Sequence, residues 1–115
     1  MAQAILEAAV RASAGGPVIE LRGDIDAAAR NALAVAYEEA PKEGRLLLDF
    51  AAVDYINSTG IALIVGLLAR ARADQRPVAA SGLSDHYRQI FEITRIADFM
   101  TILDHHGTPR QEGAL

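Results

Sequence analysis

Leu46-Leu47-Leu48-Asp49-Phe50 places apolar side chains on successive positions rather than alternate ones. A strand built this way has both faces to cover, as a central strand does in a largely parallel sheet packed by helices. The flanking segments fit that frame. Val18-Ile19-Glu20-Leu21-Arg22 alternates and reads as a strand, residues 77–82 read as a short one, and residues 99–103 as the last. Asp26 is placed to cap a helix over residues 27–40, where Leu33, Ala36, Tyr37 and Ala40 share one face and Pro41 forces a stop. Residues 59–73 form a second helix, apolar almost all round until Arg70 and Arg72. Ser84 caps a third, whose Tyr87, Ile90 and Phe91 share a face. Residues 4–11 read either as a short helix or as an edge strand in a hairpin across Ala14-Gly15-Gly16-Pro17. The order β-β-α-β-α-β-α-β predicts an α/β fold. Its sheet is a single layer, mixed but mostly parallel, with an antiparallel N-terminal edge hairpin, and helices pack on it.

At 115 residues the chain is expected to be one domain over residues 1–103, with a frayed polar tail at 104–115. Apolar residues make up 51% and charged residues 23%, which excludes disorder. No cysteine is present, so disulfide scaffolds, thiol nucleophiles and zinc–thiolate sites are excluded. A net charge of −4 argues against nucleic acid as a partner. The longest apolar run, residues 61–69, is far short of the roughly 20 residues a membrane span needs. The start lacks a basic segment followed by an apolar one, so no signal peptide is expected and the location is read as cytoplasmic.

The informative loop is Asn57-Ser58-Thr59-Gly60, between the apolar strand and the second helix. Hydroxyls at a helix N-terminus meet unpaired N–H groups and the positive end of the dipole, a setting that accepts phosphate. Ser58 also fits a plain N-cap, worth about 1 kcal/mol. Asp49 and Asp54 bring a response-regulator receiver to mind, but the only lysine, Lys42, follows the first helix, and both acids read as solvated or turn-forming. His86, His105 and His106 lack the i, i+4 spacing of paired metal ligands and read as solvated; neither metal nor cofactor is expected. Arg70, Arg72 and Arg76 complement the dipole at the end of the second helix, with a partner-binding rim as the other reading. Leu63, Leu67 and Leu68 read as core or as interface. Because this helix is apolar on so many faces, part of it near Ser58 is expected to be exposed as a partner patch, formed by Ala62, Leu63, Gly66 and Leu67.

Three short motifs, in order, resemble the STAS domain and, within it, the bacterial anti-sigma factor antagonists. The first is Gly23-Asp24-Ile25-Asp26. The second is Asn57-Ser58-Thr59-Gly60 with Gly66 in the following helix. The third is Ala80-Ser81-Gly82-Leu83-Ser84 followed by Ile90-Phe91. The likeness runs from about residue 18 to 103. It implies that Ser58 is a phosphoacceptor with Asn57, Thr59 and Gly60 around it, and that Asp24 and Asp26 line the same surface. It further implies an anti-sigma factor partner, a serine kinase with a histidine-kinase-like ATPase fold. The bare antagonist binds this kinase, phosphorylation ends the binding and a serine phosphatase restores it, so sigma-dependent transcription is set by partner switching. The chain departs at Asn57, where these antagonists usually carry Asp; Asn keeps the local backbone hydrogen bonding and drops the charge.

Electrostatics suits such a switch. A phosphoserine adds about −1.5 to −2 charges at neutral pH. One unit-charge pair about 6 Å apart, at an effective dielectric near 20, costs about 3 kcal/mol. Two further readings stand beside it. The neutral Asn57 suits a STAS scaffold subunit of a signalling or transport assembly that is never phosphorylated. Asp24, Asp26 and Ser58 also suit a small-molecule binder or enzyme, which needs a pocket joining the two loops.

Overall fold

The apolar run becomes the middle of a five-stranded sheet in the order β1-β2-β3-β4-β5. The strands are β1 (Glu7–Arg11), β2 (Val18–Ile25), β3 (Leu46–Ile56), β4 (Val78–Ser81) and β5 (Thr101–Ile102). Only β1 and β2 pair antiparallel; the other pairs are parallel. Parallel neighbours need a crossover. The crossovers are α1 (Arg30–Glu39), α2 (Ser58–Ala73) and α3 (Asp85–Ile93). A computed structural model describes residues 5–103. The expected tail at 104–115, with His105 and His106, lies outside the described residues.

Two boundaries differ from expectation, and the open reading of residues 4–11 resolves as the edge strand of the expected hairpin. Residues 7–11 form strand β1, so pairing with β2 outweighs the helix preference of the alanines. β3 runs on to Ile56 instead of ending near Phe50, because Ala52 and Val53 pair with Arg22 and Gly23 after one register shift, and Tyr55 and Ile56 pair with Asp24 and Ile25 after a second. The Asp49 carboxylate accepts from Ala51 N at 2.9 Å beside this irregularity, and the mostly exposed residues 51–55 hide the strand in the sequence. At the other end, residues 96–99 form a 3-10 turn and leave only Thr101–Ile102 as β5. The first helix also opens with a 3-10 turn, Ala27–Ala29, where Asp26 accepts from Ala28 N at 3.0 Å.

Leu46, Leu48 and Phe50 of β3 meet Ile19, Leu21 and Ile25 of β2 in the core. The rings of Phe50 and Phe91 pack edge to face at 6.1 Å, an arrangement that adds to the burial of their area. α2 solves its all-round apolarity by turning Ile64, Leu67, Leu68 and Ala71 inward, one helical stripe. β2 alternates: Leu21 and Ile25 are buried, Glu20 and Arg22 exposed, and Asp24 half-buried.

The C-terminal ends of α1 and α2 are joined through Tyr37. Its hydroxyl donates to Asp74 at 2.6 Å, and the guanidinium of Arg70, which also pairs with Glu38, lies 4.6 Å from its ring centre. Arg76, expected at the surface, is buried. It donates to the Pro41 carbonyl and lies 5.8 Å from the Tyr37 ring, so it ties the chain entering β4 to the end of α1. Burial first, then the hydrogen bond to Asp74, hold the Tyr37 hydroxyl above its ordinary 10.0, against the opposing charges of Arg76 and Arg70. The folded chain thus keeps this proton more tightly than the unfolded chain. The associated stability is complete below the ordinary value and is lost as pH rises through the folded one. Tyr37→Phe is expected to cost about 1 kcal/mol at neutral pH and to remove that alkaline component, read by denaturant melts on both sides of pH 10.0.

Candidate functional site

The loop from β3 to α2 is held from three sides. Asn57 N donates to the Ile25 carbonyl at 3.2 Å. The Asn57 side chain accepts from Gly60 N at 2.8 Å and caps α2. One residue earlier, Ile56 N donates to the Tyr87 hydroxyl at 2.9 Å, so α3 braces the same turn. Gly60 is buried against the end of β2. A Cβ there would stand 1.9 Å from the Ile25 carbonyl oxygen, closer than any side chain tolerates. Glycine is therefore what lets the first turn of α2 seat on β2.

This division of labour settles what Ser58 does for the fold. Asn57 is the cap, and Ser58 is the first helical residue. Ser58 and Thr59 are exposed, and among the described residues the Ser58 hydroxyl enters none of the hydrogen bonds. The plain-cap reading gives way to an outward-facing hydroxyl at the positive end of a 16-residue helix. Asp24 and Asp26 flank Ile25, the residue on which the α2 turn seats, and Asp24 pairs in the ladder with Tyr55, three residues before Ser58. Both aspartates are half-buried. The fold thus brings the Gly23–Asp26 and Asn57–Gly60 motifs to one end of the sheet.

The patch expected on α2 divides. Ala62 and Gly66 are exposed, Leu63 is half-buried and Leu67 packs in the core. A Cβ on Gly66 would meet nothing within 4 Å, so nothing inside the chain calls for glycine there, although a helix interior glycine costs about 1 kcal/mol relative to alanine. Ala62, Leu63 and Gly66, with Leu67 beneath, line one side of a groove of about 220 Å³ whose other wall is Arg30 and Ala34 of α1. The sequence reading missed that wall, since no motif marks it; only the packing of α1 beside α2 puts it there. It also missed Tyr55, which is 54% exposed, and Ile5, which bridges to Asp24 from the other side. The alternating segment around Tyr55 held the signal, had β3 been carried on to Ile56.

Four grooves among the described residues are lined elsewhere, and none of these four joins Asp24, Asp26 and Ser58. Among the described residues no cluster of His, Asp and Glu is placed to hold a metal ion, and no helix is long and apolar enough to cross a membrane. Asp49, read as solvated or turn-forming, instead lies half-buried inside β3, where it accepts from Ala51 N, and His86 is exposed, its ring 4.9 Å from that of Tyr87.

Residues 8–104 match the family model described as "Mlab, STAS domain". The anti-sigma-B factor antagonist of Listeria monocytogenes serovar 1/2a is 35% identical over 91 residues, which cover 77% of this chain and 80% of that protein. Among solved structures, an anti-sigma-factor antagonist (STAS) domain protein from Planctomyces limnophilus superposes with a TM-score of 0.68 at 20% identity, covering 92% of this chain and 93% of that one. The Bacillus cell fate determinant SpoIIAA in its phosphorylated form superposes with a TM-score of 0.60 at 18% identity, covering 88% and 93%. At these identities the superpositions speak for the fold.

The two glycines of α2 are expected to respond to alanine with opposite signs. Gly60→Ala should destabilise by about 3 kcal/mol or more, since its Cβ has to displace backbone. Gly66→Ala should stabilise by about 0.5–1 kcal/mol, since it fills only open space. Thermal melts of the two variants check both.

Proposed function

The chain belongs to the STAS domain family, and from that premise we propose that it is an anti-sigma factor antagonist switched at Ser58. In the bare state it binds an anti-sigma factor, a serine kinase with a histidine-kinase-like ATPase fold, and so frees the sigma factor in the cytoplasm. Phosphorylation of Ser58 by that kinase ends the binding, and a serine phosphatase resets it. The chain acts as regulator and kinase substrate, with no catalytic step of its own.

One observation carries this reading: the cap of α2 is Asn57, so the exposed Ser58 hydroxyl can be modified without undoing the turn. A phosphate there meets the helix N-terminus, which favours it. A partner facing Asp24 and Asp26 would meet two further negative charges added beside them. Each 1.4 kcal/mol of that repulsion is a tenfold loss of affinity, so the interface opens while the fold stands. Ala62, Leu63 and Gly66 extend the surface along α2. The open space over Gly66 is where a partner's backbone or side chain approaches closely.

A second reading is favoured by Asn57 itself. Its neutral side chain suits a scaffold subunit of a signalling or transport assembly that uses the same surface and is never phosphorylated. Mass spectrometry of Ser58 in protein from native cells separates the two: stoichiometric bare Ser58 under every growth condition would leave the scaffold.

Incubation with the cognate kinase and ATP is expected to add one phosphate, retained in Thr59→Ala and lost in Ser58→Ala; equal labelling of Ser58→Ala would sink the acceptor assignment. Asn57→Asp keeps the acceptor for Gly60 N and adds a charge that the helix N-terminus favours by about 0.3–1 kcal/mol. It is expected to melt no lower than the parent chain and to be phosphorylated faster.

A further inference from the structure

The other side of α2 carries a feature that the switch does not use. Val65 and Phe99 are 45% and 50% exposed, and they stand on one groove of about 320 Å³ between α2 and the 3-10 turn at Ile96–Phe99. Leu68, Ala69 and Ile96 make its remaining apolar lining. Arg72 stands at its rim, the guanidinium 5.5 Å from the centre of the Phe99 ring. Among the described residues Arg72 pairs with no carboxylate, whereas Arg70, Arg88 and Arg95 each do. Asp98, the acid close by, is taken by Arg95 at 2.8 Å. The hydroxyl of Thr94, also on the groove, is already spent on the Ile90 carbonyl at 2.6 Å.

A concave site of a few hundred Å³, mostly apolar with one placed polar group, is the usual form of a small-ligand pocket. Here the polar group is one cation held on an aromatic face, and the apolar lining has room for an aliphatic or aromatic body. We infer that this groove binds a small amphiphilic monoanion, with its hydrocarbon body on Val65, Leu68, Ile96 and Phe99 and its acid group on Arg72. The charge of Arg72 selects an acid over an alcohol or an amine of the same length. The site lies on the helix whose first turn carries Ser58, yet it does not rest on phosphorylation of that residue, and either could fail alone.

The test is a titration of the full chain with octanoate, octan-1-ol and octylammonium, followed by 15N–1H NMR. Octanoate is expected to shift the amides of Val65, Ile96 and Phe99 saturably, with a Kd on the order of 1 mM. Arg72→Gln, a change at an exposed side chain, should weaken octanoate about tenfold and leave octan-1-ol within about twofold. Val65→Asp should abolish octanoate binding, and octylammonium should bind the parent chain more weakly than either other probe. Three outcomes would overturn the assignment: shifts that scatter over the surface without saturating, an octanoate affinity indifferent to Arg72→Gln, or a concentration-dependent dimer that buries the groove and excludes octanoate.

Discussion

The close approach of Gly60 to the Ile25 carbonyl governs how the candidate site is built. With no side chain at residue 60, the first turn of α2 lies directly on the end of β2. Asn57 is then near enough to take the Ile25 carbonyl through its N–H while its side chain caps Gly60. The β2–β3 ladder brings the two motifs, some thirty residues apart in the chain, side by side, and this seat docks the first turn of α2 against them. A methyl group at residue 60 would push α2 away from β2 and separate Ser58 from the acids that flank Ile25.

That seat also explains how one residue can stay exposed and uncommitted inside a firmly held turn. Capping, seating and bracing fall to Asn57, Gly60 and the hydroxyl of Tyr87. Ser58 carries none of these duties, so charge added there acts on what comes from outside. The helix dipole and the nearby carboxylates pull in opposite senses on a phosphate. On the proposed function, the first would keep a phosphorylated chain folded and the second would alter the face presented to a partner. The rigid support behind the site comes from the opposite ends of the helices, where Tyr37, Asp74, Arg70 and Arg76 lock α1 to α2.

Much of this was legible in the residues. The apolar run at 46–50, the Pro41 stop and the caps at Asp26 and Ser84 each follow from local rules, and each holds in the structure. Residues 7–11, short and rich in alanine, read as helix or edge strand, and the edge that β2 offers decides for the strand. The misreadings have physical causes. The second half of β3 looks like a loop because β3 itself carries an extra residue at each of two register shifts against β2 and its side chains are mostly exposed. Arg76 looks like a surface cation and is buried because the Tyr37 ring and the Pro41 carbonyl receive it.

The amino-acid sequence determined the alternation of strands and helices, the central place of β3 and the motif that puts hydroxyls at the mouth of α2, because periodicity, proline and caps act over a few residues. Tertiary structure alone decided which of those residues does the capping, which side of α2 faces solvent, and that Arg30, Tyr55 and Phe99 lie on surfaces beside it. Those outcomes depend on how α1, α2 and the sheet approach one another, and such distances are set by packing between segments far apart in the chain.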